Sequence, residues 1–228
     1  MAPLVPAKAG TQRPHAPRLL FWIPAFAGMS GVWVFAVALL LALNLPIHAQ
    51  QLSARSAAEA MDIVMWNREP VGGPFALTDH TGRARTEADF KGKLLLVYFG
   101  FTWCPDICPT DLQNIGLALD RLGSSAEAVQ PLFVTLDPAR DTAEHLKDYV
   151  PMFHPRLIGL TGDDAAIKRV ADAYKVYYAK APNPRGDDYT IDHSAFIYLM
   201  SADGRYLGFF PPGTDADRIA ASIKPYLK

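Results

Sequence analysis

The chain has 228 residues, half of them hydrophobic and a fifth charged, and its formal net charge is −1. That balance excludes a disordered chain, and the scattered basic residues exclude a polyelectrolyte surface, so nucleic acid is not expected as a partner. The length suits one substantial domain with roughly 50 residues left over.

The left-over residues stand at the N-terminus. "VWVFAVALLLALNL" runs from Val32 to Leu45 and ends at "PIHAQ". Residues 1–49 therefore read as a leader, either a secretory signal cleaved after Ala49 or a retained membrane anchor. An anchor needs about 20 apolar residues, and Gly31 to Ala49 nearly supply them. Lys8, Arg13 and Arg18 precede the run and no acidic residue does. The positive-inside rule then sends the C-terminal side out of the cytoplasm in either case. "VPAKAG" and "IPAFAG", before Met29, are near repeats without fold logic. Residues 1–28 thus read as an over-extended start, with a cytoplasmic tail as the alternative. Residues 50–70 read as a polar, alanine-rich linker, and 71–228 as the folded domain.

Within that domain, "GGPFALTDHTGRART" holds a turn signal at Asp79–Gly82 between two extended pieces and predicts a β-hairpin. "KLLLVYF", Lys93 to Phe99, is apolar without alternation, as in a strand buried on both faces. Leu112, Ile115, Leu119 and Leu122 recur at helical spacing until Gly123 stops them. "PLFVTL", Pro131 to Leu136, is a second buried strand. Asp141 and Glu144 stand in capping-box relation ahead of a helix to about Val150. "RLIGL" gives a third strand, and Asp163 or Asp164 caps a helix to about Tyr174. "SAFIYLM" and "RYLGFF" flank "SADG" as a second hairpin, and a last helix covers about Asp215 to Leu227. Alternating strand and helix, then a hairpin, predicts an α/β domain: the thioredoxin-like plan with an N-terminal β-hairpin extension and an inserted loop or hairpin.

The two cysteines of the chain, Cys104 and Cys108, lie at the exit of the first buried strand, in "YFGFTWCPDICPTDL". Reactive sites form where parallel strands end and the next helices begin. Each cysteine precedes a proline, which biases it away from the α region. The pattern predicts a turn at "PDI", Cys108 as the helix cap and Pro109 as the first helical position. The positive end of a helix dipole favours thiolate. Thiolates attack disulfides and also bind metals, and an exported cysteine pair is commonly a plain structural disulfide. Three intervening residues, one more than in thioredoxin-type oxidoreductases, suit two sulfurs wrapping one ion.

A metal site needs a third ligand. His15 and His48 fall in the leader or at its edge, His80 in a solvated hairpin turn, His145 in a charged helix and His154 in a Pro-flanked loop. None of these suggests ligation. His193, in "TIDHSAF", precedes a core strand where the thioredoxin plan usually has a cis-proline. Two thiolates and one imidazole suit Cu(I) and, with an added ligand, Cu(II). Zinc also accepts this set. A capping or core-edge histidine is the competing reading.

"GGPFALTDHTG", "LLLVYFGFTWCPDICPTDL", "VTLDPARDT" and "IDHSAFIYLM", in this order and spacing, closely resemble the Sco/SenC family of copper-binding thioredoxin-like proteins of cytochrome c oxidase assembly. The resemblance spans about Val71 to Lys228. It implies that Cys104, Cys108 and His193 are copper ligands. It implies a tethered or secreted protein on the periplasmic side of a bacterial inner membrane, serving the binuclear copper centre of the oxidase in its subunit II. Other periplasmic copper chaperones or thiol reductases are then further partners. Asp137 matches a family aspartate near the site, with the start of a loop as its plainer role. Trp103 departs from a common histidine, which bears only on an auxiliary ligand or partner contact.

Two functions follow. The leading one is a metallochaperone rather than an enzyme, whose copper loading is coupled to a Cys104–Cys108 disulfide that forms on oxidation. The alternative is a thiol–disulfide oxidoreductase that keeps the oxidase cysteines reduced, with Cys104 attacking and Cys108 resolving. A peroxidase fits poorly, because Phe101 stands three residues before Cys104 where such enzymes place threonine.

Overall fold

The computed structural model describes residues 61–227 apart from 63, 66–68, 184, 185 and 187. The leader expected over 1–49 and most of the linker expected over 50–70 lie outside the described residues. Among the described residues no helix is long and apolar enough to cross a membrane.

In chain order the elements are β1 (Ala76–Asp79), β2 (Ala84–Thr86), β3 (Leu94–Gly100), α1 (Ile107–Leu122), β4 (Val129–Thr135), α2 (Ala143–Tyr149), β5 (Ile158–Thr161), α3 (Asp164–Ala173), β6 (Tyr178–Pro182), β7 (Tyr189–His193), β8 (Ile197–Met200), β9 (Tyr206–Phe210) and α4 (Ala216–Ile223). Seven strands form one sheet in the order β2-β1-β5-β4-β3-β8-β9, and β6 and β7 form a separate two-stranded ribbon.

The core is built around β3 and β4, both buried at every position. They run parallel, from Leu94 opposite Val129 to Gly100 opposite Thr135. Strands buried on both faces need no alternation, which is why both read as continuous apolar runs. β8 joins the other side of β3 antiparallel, with Tyr98 opposite Ile197. Leu112, Ile115, Leu119 and Leu122 form the buried face of α1. The helix ends at Gly123, whose φ of 55° is favourable to glycine. β8 and β9 form the expected late hairpin, and β1 and β2 the early one. The ribbon β6–β7 is the inserted hairpin.

Four local expectations change. Helix α1 starts at Ile107 with Asp106 as its N-cap, so Cys108 and Pro109 lie inside its first turn. The first four N–H groups of a helix have no intrahelical partner, so a proline at the third position removes no bond. Helix α2 is capped by Thr142, whose Oγ1 accepts from His145 N at 3.2 Å, not by Asp141. Asp141 is fully buried and turned inward. His80 is not a solvated turn residue: its N donates to Gly159 O at 2.8 Å and its Nδ1 accepts from Gly159 N at 3.2 Å. This exchange fastens the first hairpin to β5. Helix α4 stops at Ile223 rather than Leu227, because Pro225 starts a 3-10 turn over Lys224–Tyr226.

The first hairpin is also held from inside by Asp79, which is 1% exposed. Its Oδ1 accepts from Thr81 N at 2.8 Å, Thr81 Oγ1 at 2.6 Å and Arg83 N at 3.1 Å. Its Oδ2 accepts from Arg85 Nε at 2.7 Å. Burial works against the charge, yet these bonds hold the carboxyl well below the usual carboxylate range. Asp79→Asn should lower the unfolding free energy by about 2 kcal/mol at neutral pH, because it strands donors in a buried turn. Urea denaturation measures this. A depressed carboxyl stabilises above its unfolded pKa and loses that contribution as acid protonates it. The gap between wild type and variant should therefore close as pH falls through the acid range.

Candidate metal centre

β3 leaves the core at Gly100. A Cβ there would stand 2.9 Å from Cys108 Sγ and 3.1 Å from Tyr98 Cε1. Only glycine lets the buried sulfur approach the strand this closely. The chain then turns through Phe101, which is buried, and Thr102. Asp141 accepts from Thr102 N at 3.0 Å and from Thr102 Oγ1 at 2.6 Å. It also accepts from Thr135 Oγ1 at 2.6 Å. The start of the cysteine loop is thereby pinned to the end of β4.

The two thiols differ. Cys108 is fully buried in the first turn of α1, whereas Cys104 is half-buried on the loop before it. Both are free thiols. Cys108 N lies 3.5 Å from Cys104 Sγ. A thiol hydrogen bond from Cys108 is the main cause that draws the Cys104 pKa down to about 4, against the effect of burial. His193 and the N–H groups of Asp106 and Cys108 add to it. The same bond and burial push Cys108 up. Both shifts favour the thiolate on the exposed side and the proton on the buried sulfur.

His193 is the last residue of β7, opposite Tyr178. Its Nε2 is 3.5 Å from Cys108 Sγ, across 85 residues of sequence. Its ring stands edge-on to Phe101 with centroids 5.9 Å apart. Its Nδ1 is buried without a hydrogen-bond partner, which leaves Nε2 as the nitrogen aimed at the sulfurs. Metal bonds of about 2.3 Å to sulfur and 2.0 Å to imidazole nitrogen span about 3.5 Å at a tetrahedral angle, the separation that Cys108 and His193 show. The soft donor set fits copper. Among the described residues no group of three His, Cys, Asp or Glu side chains is already drawn together as a metal cage. A shared ion therefore needs a small adjustment, and Cys104, on the loop, is the donor free to make it.

The other sequence candidates separate clearly. His15 and His48 lie outside the described residues. His80 serves β5, and His154 faces Asp120 at 3.7 Å. His145 is not bland: its Nε2 is 2.9 Å from Thr102 Oγ1, beside the cysteine loop. Asp137 is buried with both oxygens engaged, by Tyr189 OH at 2.7 Å and by Arg140 in an ion pair. It anchors the loop rather than offering a free ligand. Trp103 is 62% exposed, with the Arg140 guanidinium 5.7 Å from its ring centroid. Arg140, Tyr189, Thr102 and the inward role of Asp141 escape sequence reading. The one signal for them is the pairing of charges in "DPARD".

Two thiols at a strand exit, one of them in the first turn of a helix and faced by an imidazole from a distant ribbon, define a thioredoxin-like domain with a candidate thiol or soft-metal site. Its kinship is closer than that. Residues 65–228 match the family model described as SCO1/SenC, and the chain belongs to that family.

It is 42% identical over 160 residues to the human mitochondrial protein SCO1 homolog, which covers 69% of this chain and 53% of that protein. The chain thus spans about half the length of that relative. It is 38% identical over 230 residues to the mitochondrial protein SCO2 homolog of Bos taurus, covering 97% and 81%. Among solved structures it is similar to Bradyrhizobium japonicum ScoI with copper bound, at 45% identity and a TM-score of 0.64 over 69% of this chain and 99% of that one. Yeast Sco1 with copper bound gives 41% and 0.62 over 70% and 91%. BsSco, a Sco family member in which a disulfide switch is identified, gives 25% and 0.53 over 69% and 95%.

The thiol asymmetry makes a direct prediction. In the apo protein, iodoacetamide should alkylate Cys104 at a rate that stays level from pH 8 down to about pH 5. That rate should fall only as the thiolate regains its proton near pH 4, whereas Cys108 stays unmodified. Peptide mapping of the native and urea-unfolded protein distinguishes the two.

Proposed function

We propose that the chain is a copper metallochaperone that binds copper through Cys104, Cys108 and His193 and helps assemble the binuclear copper centre of cytochrome c oxidase. The observation that carries this reading is the 3.5 Å approach of His193 Nε2 to Cys108 Sγ, with Cys104 alongside. The copper-bound structures of ScoI and Sco1 relatives support it, as does the description of the Sco family as cytochrome c oxidase assembly proteins.

In this reading copper is cargo. Cys108 and His193 form the fixed half of the site, and the half-exposed Cys104 is the donor that meets the incoming ion. Binding displaces the proton held on the buried sulfur. Release to an acceptor proceeds by ligand exchange beginning at Cys104, the more accessible of the two thiols. The acceptor is subunit II of the oxidase. Oxidation of Cys104 and Cys108 to a disulfide removes two ligands at once, so redox state gates loading. The domain works on the periplasmic side of a bacterial inner membrane, delivered or tethered by residues 1–49.

A thiol–disulfide reductase is the second reading, favoured by the acidic, accessible Cys104. In it the Cys104 thiolate attacks a partner disulfide and expels one partner thiolate. Cys108 then attacks the Cys104 sulfur, expels the second, and leaves this chain oxidised. This exchange uses the two thiols alone and leaves the imidazole aimed at the Cys108 sulfur without a part, so the geometry favours the first reading.

Competition of the reduced protein with a Cu(I) chelator under anaerobic conditions tests it. One tight equivalent is expected. Cys104→Ser, Cys108→Ser and His193→Ala should each weaken binding by about a hundredfold or more, beyond the range of losing an outer-shell partner. Binding indifferent to His193→Ala would overturn the chaperone site and leave the reductase.

A further inference from the structure

The ribbon that carries His193 hangs outside the main sheet, since β6 and β7 pair only with each other. A two-stranded ribbon is marginal by itself, so the position of His193 depends on side-chain contacts to the body of the domain. Tyr189, at the far end of β7, lies about 13 Å from His193 at the usual strand rise. At that end the contacts converge on Arg140. Its Nη1 donates to Asp188 Oδ2 at 3.0 Å and to Tyr189 O at 3.1 Å. Its guanidinium lies 3.8 Å from the centroid of the Tyr189 ring, and its Nε is paired with Asp137. The Tyr189 hydroxyl completes the circuit by donating to Asp137 Oδ1 at 2.7 Å.

Arg140 belongs to the turn after β4, where Arg140 N and Asp141 N both donate to Asp137 O. The next residue, Asp141, holds Thr102, two positions before Cys104. One five-residue turn therefore grips the histidine ribbon with Arg140 and the cysteine loop with Asp141. We propose that this turn, Asp137–Asp141, is a jig that sets the spacing between His193 and the two sulfurs, with Arg140 as the positioning residue for His193. The proposal rests on the reading of His193 as a copper ligand. Arginine suits the task where lysine does not: a planar fork holds two acceptors and stacks on a ring at once.

The test is a mutant cycle on the reduced full chain. Cu(I) affinity is measured by anaerobic chelator competition for Arg140→Lys and Tyr189→Phe, each alone and combined with His193→Ala. Circular dichroism and thermal melting check the fold. Tyr189→Phe removes a single hydroxyl and keeps the test open if Arg140→Lys fails to fold. Each change alone should weaken copper binding by about tenfold, the scale of losing a group that orients a ligand. Neither should weaken it further once His193 is alanine. An equal loss in the His193→Ala background would mean that the turn acts through general stability, and would overturn the proposal. So would unchanged affinity in the single variants while His193→Ala weakens binding, which leaves the ligand reading standing. If His193→Ala itself has no effect, the ligand reading falls and the jig falls with it.

Discussion

The antiparallel pairing of β8 with β3 is the constraint on which the site depends. Tyr98 stands opposite Ile197, so the chain leaving β3 and the chain about to enter β8 meet at one end of the sheet. Cys104 follows the end of β3 by four residues, and His193 precedes the start of β8 by four. A parallel β8 would have sent the imidazole to the opposite end. β4 runs parallel to β3 and ends level with it, at Thr135 opposite Gly100. Its exit turn therefore arrives beside the same loop. Three segments distant in sequence are brought together by strand direction alone, before any side chain is chosen.

Side chains then decide what the meeting point can do. Helix α1 takes in Cys108 but not Cys104, and this one-turn difference separates the thiols chemically. The buried sulfur cannot be solvated and favours its proton, whereas the exposed one favours the thiolate. A helix start supports the negative charge that results. The same division explains why three intervening residues matter. The three residues "PDI" leave Cys104 outside the helix, half-exposed and near its partner.

Much of this is legible in the sequence, because it rests on local signals. Lys93 to Phe99 reads as a buried strand from composition, Leu112 to Leu122 as a helix from periodicity, and the cysteine pair as a candidate site from its position between them. His193 is readable because a histidine stands where the plan expects proline. What escapes is tertiary. Asp141 mimics a capping residue by its spacing to Glu144, but three donors from Thr102 and the buried Thr135 hold it in place of a solvent-exposed helix end. Arg140 meets Tyr189 across 49 residues, and no periodicity encodes that contact. Pro109 suggests a later helix start because proline favours the first helical position, yet no position in the first turn needs the N–H that proline lacks.

A carrier of copper must hold its cargo firmly and still give it up, and the division of labour among the proposed ligands answers both demands. A closed cage of four protein donors is the mark of a structural site. Here two donors are set by the fold: Cys108 by the helix and Gly100, and His193 by its ribbon and the turn that grips it. The third, Cys104, sits on a loop pinned at Thr102 but exposed beyond it. In the proposed transfer an acceptor thiol would approach from the Cys104 side and exchange one ligand at a time, without unfolding the half that the core has built. The exposed Trp103 stands next to that entrance and adds a flat apolar face beside the labile donor. Rigidity on the inner side and access on the outer side are therefore complementary, and both derive from placing the two thiols on either side of a helix start.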